Sequence, residues 1–235
     1  FAVPATLLCY LRTIDGEKNA QWQFALAGAM LFHSQWLVFI GTMLGIGIHF
    51  LLFNRNLKAF KQVIWPIGGI FLLTFPWFWL TGQFSKAGVI STPMQYVLLF
   101  CISCYHFIMW FVPLIFILYA AWLVLVKKQR TWLFNSGYAL LALTILASFL
   151  FASLNYYTGT PVRYYYGLLP LAMIFNAAII DKFWQQLNNY NKSKQAKPAW
   201  IWQKAIPIAV IVLLICTNLI QVIPLMPFKP IINKV

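Results

Sequence analysis

Acidic residues are nearly missing from this chain. Asp15, Glu17 and Asp181 are the only three, against 17 Lys and Arg in 235 residues, which leaves a formal net charge of +14. Charged residues of both signs make up 9%, whereas a soluble domain carries about a quarter. That scarcity excludes a solvated cytosolic enzyme and a charged, disordered tail. It also excludes a nucleic-acid reader, because the basic residues punctuate long apolar runs instead of gathering on one solvated face. No internal repeat and no separate soluble stretch interrupts the pattern. No Met and no basic leader precede the apolar run at Phe1, so the sequence reads as a fragment and not as one opening with a signal peptide.

Cysteine is equally sparse. Cys9, Cys101, Cys104 and Cys216 all lie in apolar segments. Cys101 and Cys104 have CxxC spacing, but no second pair or histidine cluster completes a zinc site, so the four read as small buried hydrophobes.

What the chain has in abundance is apolar surface: 62% hydrophobic residues and a mean hydropathy of +0.78. A membrane-crossing helix needs about 20 such residues. The expected fold is all-α, a polytopic transmembrane helical bundle forming a single transmembrane domain over residues 1–235. Spans are expected at about 1–11, 63–82, 108–126, 133–153, 164–180 and 205–224. Residues 22–53 are apolar except for His33-Ser34-Gln35, which predicts two short helices, 22–33 and 36–53, paired about that polar patch or re-entrant. Gln95–His106 is expected to lie as a helix at the outer interface, before a break within Phe107–Pro113.

Orientation follows from the cations, which accumulate on the cytoplasmic side. With the loops 12–21, 54–62, 127–132 and 181–204 inside, thirteen basic residues are cytoplasmic. Only Lys86, Arg163, Lys229 and Lys234 remain outside. All three acids then fall inside too. An outer face with cations and no carboxylate suits an anion such as a lipid phosphate, and has no carboxylate base of its own.

Three stretches, in order, carry a resemblance. The first is Leu26-Ala27-Gly28-Ala29-Met30-Leu31, with its polar break and second short helix. The second is Leu72-Leu73-Thr74-Phe75-Pro76-Trp77-Phe78-Trp79, at the end of a span. The third runs from Ser153 through Arg163-Tyr164-Tyr165-Tyr166-Gly167-Leu168-Leu169-Pro170 to Asn176-Ala177-Ala178. Together they resemble the polyprenyl-phosphate-sugar-dependent glycosyltransferases of the GT-C fold, in the branch of protein O-mannosyltransferases and lipid A aminoarabinose transferases. The resemblance covers residues 1–182. It departs from the family where His33-Ser34-Gln35 replaces a Lys-Gly-Pro type turn, and where Leu171 follows Pro170 in place of a second proline.

The resemblance implies a GT-C-like bundle in a membrane, with a bacterial inner membrane favoured. It implies transfer of a hexosyl or pentosyl sugar from a polyprenyl-phosphate carrier to a protein, lipid or glycan acceptor at the extracytoplasmic face, with no cofactor beyond the donor substrate. The family's catalytic Asp lies in a first external loop upstream of the matching region, so no catalytic residue is expected in this chain. Within that frame Arg163 is the first candidate ligand for the carrier phosphate, since guanidinium offers a planar fork to phosphate oxygens. Its alternative is an interfacial anchor. Lys86 is a second candidate cation, or a solvated loop lysine. Tyr157, Tyr164 and Tyr165 either contact sugar or phosphate or belong to an aromatic belt. His106, near the expected interface, and His33, at the helix pair, are candidate polar contacts, whereas His49 reads as structural. A transporter or flippase of a lipid-linked or anionic substrate, and a non-catalytic scaffold subunit, are the alternative functions.

Overall fold

A computed structural model describes residues 2–80, 93–125, 135–153 and 162–193, together with residue 212. All the secondary structure among them is helical. The helices are α1 (Ala2–Ile14), α2 (Ala20–Ser34), α3 (Trp36–Phe53), α4 (Leu57–Leu80), α5 (Pro93–Phe111), α6 (Leu114–Leu125), α7 (Ser136–Ser153) and α8 (Val162–Ser193). Hydrocarbon offers no partner to backbone N–H and C=O groups, so apolar chain of this kind is held to helices. Among the described residues, three stretches are long and apolar enough to cross a membrane: Trp36–Phe53, Leu57–Trp77 and Tyr166–Gln186. The outward side chains fit that solvent. Along α4, Trp65, Leu72 and Trp79 are each more than two-thirds exposed, a surface that water would not tolerate without a partner.

The chain divides into two compact units, Phe1–Cys104 with Phe134–Leu171, and Tyr105–Leu133 with Ala172–Val235. In the first, α1 to α4 alternate in direction. Gly16 and Asn19, both at positive φ, make the tight connection from α1 to α2. The connection from α2 to α3 is the single residue Gln35, at φ −154° and ψ 86°. Hydroxyls buried along these helices bond to the carbonyl one turn back: Thr6 to Ala2, Thr13 to Cys9, Thr42 to Val38 and Thr74 to Ile70, at 2.7–2.9 Å. In an apolar surround this is the nearest acceptor a threonine has.

The closest helix pair is α3 with α7, running antiparallel. Gly41 lies on the backbone of Ser148, and a Cβ on Gly45 would stand 2.8 Å from the Cα of Thr144. Small residues let two backbones approach, which is how helices gain dispersion energy in lipid, where burial of apolar area supplies no drive.

Several boundaries differ from the sequence expectation. The stretch 54–62 reads as a basic loop, yet α4 begins at Leu57, with Asn56 Oδ1 accepting from the Ala59 amide at 2.6 Å as its cap. Lys58 and Lys61 thus sit on helix. Long stems let lysine stay helical while its ammonium reaches water, so charge marks the membrane edge and not the helix end. For the same reason α8 continues through the polar residues after Asp181 as far as Ser193. In the second unit, the break in the third long apolar run falls at Val112–Pro113. It separates α5 from α6. The carbonyl of Phe111, at the end of α5, takes a hydrogen bond from Asn176 Nδ2 on α8 at 2.9 Å. Tyr119 donates to Gln186 at 3.0 Å in the same unit. The expected last span at 205–224 lies outside the described residues, apart from residue 212.

Candidate functional site

One end of the first unit brings together Gln35, Trp77 and Gly167, one residue from or beside each of the three resemblance stretches. Its centre is Gln35, held at the α2–α3 connection. The Gln35 amide lies directly against Gly167 of α8, where even a Cβ would meet Oε1, and Val38 closes the other side. Trp77 of α4 stands edge-on to Phe32 at 5.4 Å and to His33 at 5.6 Å between ring centroids. Pro76 precedes it; proline lacks an N–H, so it frees a carbonyl in the last turns of α4. At the same end Tyr96, near the start of α5, donates to the Leu150 carbonyl of α7 at 2.7 Å. Residues 33–35, 77 and 167 thus meet at one place, and the Tyr96–Leu150 bond lies at the same end of the unit.

The candidate residues distribute as follows. His33 is exposed at this end, on the rim of the Phe32–Trp77 cluster. Arg163, Tyr164 and Tyr165 form the first turn of α8, ending two residues before Gly167. Tyr166 is 64% exposed. His106 belongs to the second unit, half-buried beside Tyr105 with ring centroids 5.8 Å apart. Lys86 and Tyr157 lie outside the described residues. No cluster of three metal-ligating side chains occurs among the described residues.

The chemistry open to this end is polar and aromatic contact, not acid–base work by carboxylates. Asp15 and Glu17 lie on the α1–α2 connection, the length of α2 away, about 22 Å from Gln35 at 1.5 Å per residue. Asp181 belongs to the second unit, where Gln185 donates to it at 2.7 Å. Glu17 is occupied by Arg12 at 3.5 Å.

Two features escaped sequence reasoning. At the opposite end, Tyr10 of α1 and His49 of α3 are both buried, with Oη and Nδ1 3.0 Å apart. Phe53 stacks on the same imidazole at 5.0 Å. Nothing in the spacing of residues 10 and 49 signals that pairing. The second is an apolar groove of 330 Å³ between α3 and α4. Its floor is formed by the buried Ile46, Val63 and Ile70, and only the summed periodicity of both helices would have suggested it.

The chain matches no protein-family model, no curated protein and no solved structure. Among the described residues, fold and site define a helical protein, three of whose helices are long and apolar enough to cross a membrane.

Proposed function

We propose that the Gln35 end of the first unit holds the phosphate and sugar of a polyprenyl-linked donor, and that the chain is part of a membrane glycosyltransferase with a GT-C-like bundle. One observation carries this reading. The three resemblance segments are separated by some 40 to 90 residues of sequence, yet the helix pair, the Pro76-Trp77 end and the start of α8 converge at one end of a unit. A transporter built on a midplane site would place its polar groups mid-helix, whereas this gathering is terminal.

In the transfer, the acceptor oxygen bonds to the anomeric carbon while the bond from that carbon to the phosphate oxygen breaks. The electron pair stays on the departing phosphate, and the acceptor proton goes to a base. Arg163 and Lys86 balance the phosphate as its charge grows, an effect strongest in a site that excludes water. Trp77, His33 and the Tyr164–Tyr165 turn offer the apolar faces and donors that orient a sugar. Neither Asp15 nor Glu17 stands at this end, so the share of these residues is binding and orientation. The basic end, with Arg12, Arg55, Lys58 and Lys61, then faces the cytoplasm, and the Gln35 end faces the far side of what we take to be a bacterial inner membrane.

The test is transfer of radiolabelled sugar from its polyprenyl phosphate by membranes carrying the protein, with Arg163→Ala beside it. A charge-assisted contact of about 1.5–3 kcal/mol predicts a loss of roughly 10–100-fold in transfer and carrier affinity. Unchanged transfer and affinity in Arg163→Ala would remove that residue from the site. Uptake of the lipid-linked sugar into proteoliposomes, without transfer, would replace the transferase reading with a transporter.

A further inference from the structure

The α3–α4 groove runs from the Gln35 end, where Phe39 packs on Phe32 at 5.3 Å between ring centroids, to the basic end, and has its own polarity. One end is closed by Phe39 and Thr74, the other by Phe50 and Phe60. The lone lining hydroxyl, on Thr74, is already bonded to the Ile70 carbonyl at 2.9 Å, so the walls offer a guest nothing but apolar contact. At 330 Å³ the groove falls within the range of pockets that hold small ligands, about 300–1,000 Å³. Gly47 lies at its edge, exposed, and a Cβ built there meets nothing within 4 Å.

Both walls belong to stretches able to cross a membrane, so an acyl chain is the natural neighbour of this groove. Charge fixes which lipid and which way round. On α3, α4 and their connection, every cation stands at the Phe50–Phe60 end: Arg55, Lys58 and Lys61, all exposed. Arg55 Nε is bonded to the Leu51 carbonyl, which seats its guanidinium over the end of α3. Other charges at this end come from the α1–α2 connection, whose Gly16 meets Gln62 of α4. Arg12 and Glu17 pair there at 3.5 Å, beside Asp15 and Lys18. Among the described residues, five cations face two carboxylates at this end.

We propose that this groove binds one acyl chain of an anionic bilayer phospholipid, with the headgroup phosphate at the Arg55, Lys58 and Lys61 end. Basic residues at a membrane surface attract anionic headgroups, and the groove adds shape to that attraction. The site requires only the membrane character of the fold and is independent of the glycosyl transfer proposed above.

The experiment measures thermal unfolding of the whole protein, purified in a neutral detergent, on adding dioleoyl phosphatidylglycerol or dioleoyl phosphatidylcholine, whose acyl chains are the same. The expected result is a rise in Tm of roughly 5 °C or more with the anionic lipid at saturation, and little change with the zwitterionic one. Gly47→Leu fills the groove without meeting a neighbour, and the triple change Arg55→Gln, Lys58→Gln, Lys61→Gln removes the headgroup cations. Each should abolish the rise while leaving the lipid-free Tm within a few degrees of the parent. Equal rises with both lipids, or a full rise in Gly47→Leu, would overturn the site. So would an equal rise with glycerol 3-phosphate, which has the charge and no chain. If residues 205–224 of the chain itself cover the groove, Gly47→Leu will lower the lipid-free Tm and the parent will show no lipid effect, which also overturns it.

Discussion

The Gln35 side-chain amide occupies the space that a side chain on Gly167 would need. The atom in the way is the far end of a flexible side chain, so enlarging the glycine moves the amide and not a backbone. Gly167→Ala is therefore expected to leave the Tm within a few degrees and to disturb the geometry of the Gln35 end. Misplacing a binding group by about 1 Å costs transfer on the order of 10²-fold at most. Sugar transfer and Tm, measured on the same preparation, check both halves of the expectation.

The seam between α3 and α7 behaves in the opposite way. A Cβ on Gly45 would press on the Cα and N of Thr144, which are backbone atoms and cannot turn aside. Gly45→Ala is expected to cost about 1–3 kcal/mol, the usual penalty of overpacking. Unfolding in a graded mixture of mild detergent and dodecyl sulfate would read it as an earlier midpoint.

Tyr10→Phe removes the hydroxyl that faces His49 and keeps the ring that packs on Phe24 at 5.9 Å. Polar contacts between membrane helices average about 0.6 kcal/mol and reach about 1.7. Because both partners are fully buried, the loss should fall toward the upper figure. A double-mutant cycle with His49→Phe isolates the pair.

Asn176→Leu withdraws the donor from the Phe111 carbonyl. The end of α5 then loses a hydrogen bond, at a cost of about 0.5–1.5 kcal/mol. Hydrogen exchange would register it as faster exchange at the amides flanking Pro113, with α3 and α7 unchanged.

Orientation is checked by single cysteines in a background whose four native cysteines are serine. Lys58→Cys should resist a membrane-impermeant maleimide in intact cells and react after lysis. Tyr166→Cys should react in intact cells. The reverse pattern would invert the topology proposed from the cations.

What could be read from the sequence tracks what is local. The polar patch at residues 33–35 lies inside an otherwise apolar run, and the chain breaks at Gln35. Pro113 likewise announces the end of α5 near Phe111. Helix ends near the membrane edge were hidden, because Lys58 and Lys61 read as loop while their stems suit the first turns of a helix. The convergence on Gln35 was hidden for another reason. Gly167 reads as one more small residue until α8 is set beside the α2–α3 connection, and no spacing along the chain encodes that neighbour. Tyr10 and His49 are of the same kind, two residues whose pairing exists only in three dimensions.

The glycine seam has a mechanical consequence for the groove on the far side of α3. Gly41 and Gly45 set α3 on the backbone of α7, so the two move as one post. The facing wall, α4, contains Pro66 and Pro76, each of which breaks a rung of its hydrogen-bond ladder. The two walls of the groove are thus braced differently: one by a backbone seam, the other by a helix whose ladder lacks a rung at Pro66, level with the groove's middle, and at Pro76, beside Trp77 at the Gln35 end.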